Sequence, residues 1–71
     1  MTQCDRILRH LEDAGSITQA EAMSEYGIMR LAARIADLRG SGTEIRRKME
    51  TSKNRYGEAV TYARYFLEER T

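Results

Sequence analysis

The sequence predicts an α+β domain with three helices, a short strand after the first helix, and a C-terminal β-hairpin. Three observations carry that expectation. Before residue 40, apolar residues recur at spacings of three and four in three separate segments. Beyond Gly42 the period becomes alternating and the residues β-branched and aromatic. The chain has 71 residues, enough for one domain spanning 1–71 and too few for a second.

The first helix is expected from Thr2 to about Ala14. Cys4, Ile7, Leu8 and Leu11 line one face, while Asp5, Arg9, Glu12 and Asp13 lie elsewhere on the wheel. Thr2 followed by Asp5 suits the N-terminus, and Gly15 can take the left-handed conformation that ends a helix. A short extended piece, Ser16-Ile17, leads into Thr18-Gln19-Ala20-Glu21, a capping box that starts the second helix. That helix runs to about Glu25, broken at Tyr26-Gly27, and shows a small apolar face of Ala22, Met23 and Tyr26.

A third helix is expected over about 28–40. At 100° per residue, Ile28, Leu31, Ile35 and Leu38 occupy an arc about 80° wide. The opposite side carries Met29, Arg30, Ala33, Ala36, Asp37 and Gly40, with Arg34 on the border. Two alanines and a glycine flanked by arginine let another surface approach closely. The hairpin follows, with Ile45 and Met49 set among basic residues, a polar loop over 51–57, and a strand from Ala59 to Leu67. Asn54 and Gly57 suit the positive φ angles of its turn. Arg47 shares strand parity with Ile45 and Met49, so it points inward unless a bulge intervenes or its stem snorkels. Val60, Tyr62 and Phe66 oppose Ala63, Tyr65 and Leu67, so either the register shifts or one aromatic set is left for a partner. The closing stretch from Glu68 to Thr71 is expected to fray.

The net charge of +1 conceals a polarity. Residues 1–29 hold two basic and five acidic side chains, residues 30–56 eight and three, and residues 57–71 two and three. Basic charge gathered in the centre of a nearly neutral chain suits one face built for an anionic partner. Other classes find little support. The single cysteine, Cys4, cannot form an internal disulfide, and with the single histidine, His10, it supplies too few ligands for zinc. His10 has no nucleophile or carboxylate arrangement around it, and Gly40-Ser41-Gly42 lacks the lysine and preceding strand of a nucleotide loop. No enzyme activity, cofactor or metal is expected. Uncharged runs are too short for a membrane helix, and Asp5, Arg6 and Arg9 stand where a signal peptide is apolar, so a cytoplasmic location is expected, in a bacterial or phage-infected cell and associated with the nucleoid.

The order helix, short strand, helix, turn, helix, basic hairpin resembles the winged helix-turn-helix superfamily over nearly the whole chain. The resemblance rests on Ser16-Ile17-Thr18-Gln19-Ala20-Glu21-Ala22, Gly27, Leu31 to Arg39, Gly42, and the wing from Asn54 to Gly57. The stretch from Ser16 to Arg39 looks especially like small helix-turn-helix domains encoded by phages and prophages. Gly27 departs from the pattern by sitting two residues closer to Leu31 than the turn glycine usually does. The resemblance implies sequence-specific binding of double-stranded DNA, in a regulator of transcription or an accessory factor for excision or packaging.

Physical chemistry supplies roles for the residues. Arg30, near the start of the third helix, suits a bidentate contact to guanine in the major groove, and Arg34 a phosphate or bridging contact. Met29 and Ala33 can touch a thymine methyl, while Asp37 suits orienting an arginine. Thr18 and Gln19 can offer backbone amides to a phosphate. Arg46 and Lys48, projecting from one side of their strand, and Lys53, Asn54 and Arg55 at the tip are expected to form a basic wing on the same side as Arg30. A homodimer or protein partner would use Tyr62, Tyr65, Phe66 and Leu67. The alternative is a winged helix that docks proteins through the Ala33-Ala36-Gly40 face and the exposed apolar strand, since this fold serves both purposes.

Overall fold

The computed structural model describes residues 2–68. Its elements are α1 (Gln3–Ala14), β1 (Ser16–Thr18), α2 (Gln19–Tyr26), α3 (Leu31–Gly40), β2 (Ile45–Lys53) and β3 (Ala59–Leu67). The expected α+β order is present.

Both capping boxes that open the first two helices are formed. The Thr2 hydroxyl accepts from the Asp5 amide and the Asp5 carboxylate accepts from the Thr2 amide, each at 3.1 Å. Thr18 and Glu21 repeat the exchange at 3.2 and 2.9 Å. Gly15, at φ 90°, closes α1 by donating its amide to the Leu11 carbonyl at 2.9 Å. The α1 stripe then packs into the core, which gathers Ile7, Leu11, Ile17, Ala22, Ile28, Leu31, Ile35, Leu38, Ile45 and Tyr65. Tyr26 ties the end of α2 back to α1: its hydroxyl lies 2.7 Å from His10 Nδ1, and the two rings meet edge to face.

The third helix is shorter than expected. It begins at Leu31, and residues 28–30 form a link instead of its first turn. Gly27 takes φ 67°, which turns the chain out of α2, and Ile28 is 1% exposed although it lies outside any helix. The spacing from Ile28 to Leu31 therefore reports burial on one core and not a shared helix.

The three strands form an antiparallel sheet in the order β1-β3-β2. The β2–β3 register is unbroken from Ile45 opposite Leu67 to Lys53 opposite Ala59, so no bulge rescues Arg47. Arg47 stays on the face of Ile45 and Met49, yet both Arg47 and Met49 are exposed. The hairpin simply outruns the core: Ile45 is the last fully buried residue of β2, and every residue from Thr51 to Thr61 is exposed. Tyr65, 8% exposed, shows which side of β3 meets the helices, with Ala63 and Leu67 packed against the core beside it. Of the stretch expected to fray, Glu68 is held by its amide to the Glu44 carbonyl at 3.1 Å; residues 69–71 lie outside the described residues.

Candidate nucleic-acid interface

The start of α3 is positioned by one side chain. Gln19 Nε2 donates to the Ile28 carbonyl at 2.7 Å, and Gln19 Oε1 accepts from the Leu31 amide at 3.0 Å. The first satisfies a carbonyl of the link, the second one of the amides that a helix start leaves unpaired. Arg30 occupies the cap position of α3 with φ −122° and ψ 65°, and its side chain makes no capping bond. It is exposed, as is Met29 at 74%. Arg30 and Met29 therefore stand just before the helix, and not within its first turn as their spacing suggested. Ala33 and Arg34 are half-buried, and Ala36 and Asp37 are exposed. Arg34 Nε lies 3.1 Å from Asp37 Oδ2, an ion pair along the helix surface.

Strand register divides the basic wing. In a β-strand alternate side chains leave opposite faces, and residues paired across strands share a face. Ile45, Arg47, Met49, Thr51 and Lys53 thus share the helix-facing side with Ala59, Thr61, Ala63, Tyr65 and Leu67. That side of the hairpin carries two cations, Arg47 and Lys53, and no carboxylate. Arg46 and Lys48 project from the opposite face, with Glu50, Tyr62, Arg64 and Phe66. The single stripe joining Arg30, Arg46, Lys48, Lys53 and Arg55 is therefore corrected: alternation puts Arg46 and Lys48 on the sheet face opposite Arg47 and Lys53. Arg46 also lies 3.6 Å from Glu68.

The tip is smaller than the expected 51–57 loop, because Thr51, Ser52 and Lys53 belong to β2. The turn covers 54–58 and is held from within. Asn54 Oδ1 accepts from the Tyr56 amide at 2.9 Å and the Glu58 amide at 3.1 Å. The Asn54 amide donates to the Glu58 carbonyl and the Gly57 amide to the Asn54 carbonyl, both at 3.0 Å. The Asn54 side-chain oxygen thus builds the turn, and Arg55 projects from it exposed.

Two further expectations change. The Thr18 amide donates to Glu21 and Thr18 is 5% exposed, so a phosphate cannot take that amide; the capping box uses it. Tyr65 and Leu67 belong to the core side of β3, which removes them from the expected partner surface and leaves Tyr62 and Phe66, half-buried, on the other face.

Three arginines outside the expected site shape it. Arg39 donates from Nε and Nη2 to the Ile45 carbonyl at 3.1 and 2.9 Å, fastening α3 to the root of β2. Arg64 reaches Glu50 at 2.7 Å, Ser16 at 3.0 Å and Glu21 at 3.4 Å, joining β2, β1 and α2 across β3. Its hydrogen bond holds the Glu50 carboxyl below the ordinary glutamate range, and Glu50 in turn raises the Arg64 guanidinium above its ordinary value. Arg47 is the third, and its parity with Ile45 was the clue: a charged residue at a core-facing position marks where the strand leaves the core.

Compared with known protein families, residues 2–70 match a family described as a winged helix-turn-helix domain. The chain belongs to that family. Membership in the winged helix-turn-helix family points to DNA binding and agrees with three helices followed by an antiparallel hairpin. Among curated proteins, none matches this winged helix-turn-helix chain. No helix among the described residues is long and apolar enough to cross a membrane.

Proposed function

We propose that this winged helix-turn-helix domain binds double-stranded DNA sequence-specifically, without enzymatic activity of its own, with α3 in the major groove and the hairpin against the neighbouring backbone. The observation that carries the reading is the helix-facing side of the wing, where Arg47 and Lys53 stand with no carboxylate among them. On the same side of β3, Ala59 faces Lys53 and the next two residues, Thr61 and Ala63, are also small, which leaves room for a phosphate backbone to come close. A docking surface for a protein has no need of such one-signed charge, whereas a polyanion does.

Within this reading Arg30 reads a base edge at the mouth of α3, helped by Met29 and Ala33 against a thymine methyl. Arg34, held by Asp37, bridges to phosphate, and the Gln19 amide at the N-terminus of α2 offers a second phosphate contact. Lys53 and Arg55 neutralise phosphates along the wing. A domain of this size covers about 600–1,000 Å² of DNA, so useful specificity calls for a second copy, tandem sites or a partner protein. The domain then acts by occupying its site, as a phage- or prophage-type regulator or an accessory factor in excision or packaging, in the cytoplasm. Selection from a random-sequence duplex pool tests the specificity: an enriched motif supports it, and recovery of an unbiased pool refutes it.

A further inference from the structure

The distal wing presents a feature that groove reading by α3 leaves unused. Eleven consecutive residues, Thr51 to Thr61, are exposed, so this part of the hairpin has no core behind it. Its apex is nonetheless fixed. Four hydrogen bonds that involve Asn54 close the turn, and Gly57 supplies the positive φ of 78° that such a tight loop needs. On that braced apex stands Tyr56, 78% exposed, next to Arg55 and inside the loop that Asn54 and Glu58 close. Only its backbone amide takes part in the turn; no packing holds the ring where it is.

Reach decides what the ring can meet. From Met49, paired with Ala63 where the core ends, to Lys53 is four residue steps of about 3.3 Å, so the end of β2 stands about 13 Å beyond the core edge, with the turn at 54–58 further out. With α3 in a major groove about 12 Å wide, that distance carries the tip across one phosphate strand to the minor groove, about 6 Å wide. Cations flank the ring on the way, Lys53 before it and Arg55 beside it. A flat ring carried on a hydrogen-bonded apex and flanked by cations, brought to a narrow groove, has the makings of a wedge, of the kind that partly unstacks a base step and kinks the duplex.

We infer that Tyr56 is such a wedge: it enters the minor groove adjoining the site of α3 and bends the DNA. The inference rests on the DNA-binding reading and adds a second action to it. Binding and bending are then separable, because phosphate contacts supply most of the affinity and the ring supplies the deformation.

The test uses the full chain and a mixed-sequence duplex of about 30 base pairs carrying a donor and an acceptor dye at its ends. Saturation with the wild-type protein is expected to raise energy transfer, and Tyr56→Phe to do the same, since the ring and not the hydroxyl wedges. Tyr56→Ala is expected to bind with a Kd about three to ten times weaker and to leave energy transfer at the free-duplex value. Its thermal midpoint should match the wild type, because the missing ring packs on nothing and the amide bond to Asn54 is kept. Bending by Tyr56→Ala equal to wild type, or wild-type binding with no rise in transfer, overturns the wedge while leaving DNA binding intact. Absence of wild-type binding in the anisotropy of the same duplex overturns the DNA reading and the wedge with it.

Discussion

The side chain of Gln19 caps α3 from another helix: its oxygen accepts the Leu31 amide at 3.0 Å while its nitrogen holds the Ile28 carbonyl at 2.7 Å. One residue at the start of α2 thereby sets where α3 begins and how Met29 and Arg30 are displayed. Because Arg30 itself makes no cap, this bridge replaces the usual local one.

Replacing Gln19 by Ala should therefore lower stability by about 1–2 kcal/mol, since both bonds vanish and two backbone groups of the turn are left without partners. Gln19→Glu should not restore it, because a carboxylate keeps the acceptor for Leu31 but faces the Ile28 carbonyl with like charge. Urea unfolding of the three proteins checks this, and an unchanged midpoint in Gln19→Ala would remove the bridge as a support of the turn.

Acid should act partly through Glu50. Its pKa in the folded protein is depressed from the ordinary 4.5 by the Arg64 hydrogen bond. The bridge therefore contributes stability in full above pH 4.5, and the contribution fades as pH falls through the lower folded value. Asp5, depressed from 3.8 by the Thr2 amide and hydroxyl, adds a loss of the same sign. Glu50→Gln should be less stable than wild type at neutral pH and converge with it in acid. Chemical unfolding across that range checks the sign: a gap that stays constant to the lowest pH would contradict it.

The two faces of the hairpin should differ in their effect on DNA. Removing Arg47 and Lys53 together should weaken binding to every duplex and reduce the salt slope by about 2, one for each phosphate no longer neutralised. Removing Arg46 and Lys48 should do less, since they leave the sheet on the face opposite Arg47 and Lys53. Equal effects from the two pairs would show that the whole hairpin is engulfed by DNA or that charge acts only at long range.

Arg30 should govern preference instead of affinity. Arg30→Ala is expected to flatten the ranking of sequences, with about 1–3 kcal/mol less discrimination at one position. Lys53→Ala with Arg55→Ala should weaken all sequences alike. Uniform weakening by both would make Arg30 a phosphate contact.

Local chemistry made much of this fold legible. The Thr18–Glu21 capping box, the Ile7 and Leu11 stripe and the glycine stop at Gly15 each depend on neighbours within one or two turns, and each is present as the sequence spacing implied. Three features were set by distant parts of the chain. Ile28 has helical spacing to Leu31 but stands outside the helix, because Gln19, nine residues earlier, holds its carbonyl. Arg46 and Lys48 read as part of one basic stripe until the register of β3 fixed which face meets the core. Arg64 reads as an ordinary strand charge, and its three partners lie 14 to 48 residues away. Arg30 and Met29 are proposed as base contacts from their chemistry alone, and the start of α3 shows that their position relative to the helix is a tertiary property.

The central claim, that this domain recognises duplex DNA through α3 and a basic wing, meets its most direct test in fluorescence anisotropy with random-sequence and genomic-fragment duplexes at two salt concentrations. The account predicts binding whose log K falls with log salt at a slope of about −4 to −5, with particular fragments retained at the higher salt. No binding even at the lower salt would contradict it, and would leave Arg30, Arg47, Lys53 and Arg55 as solvated charges on a domain that docks proteins.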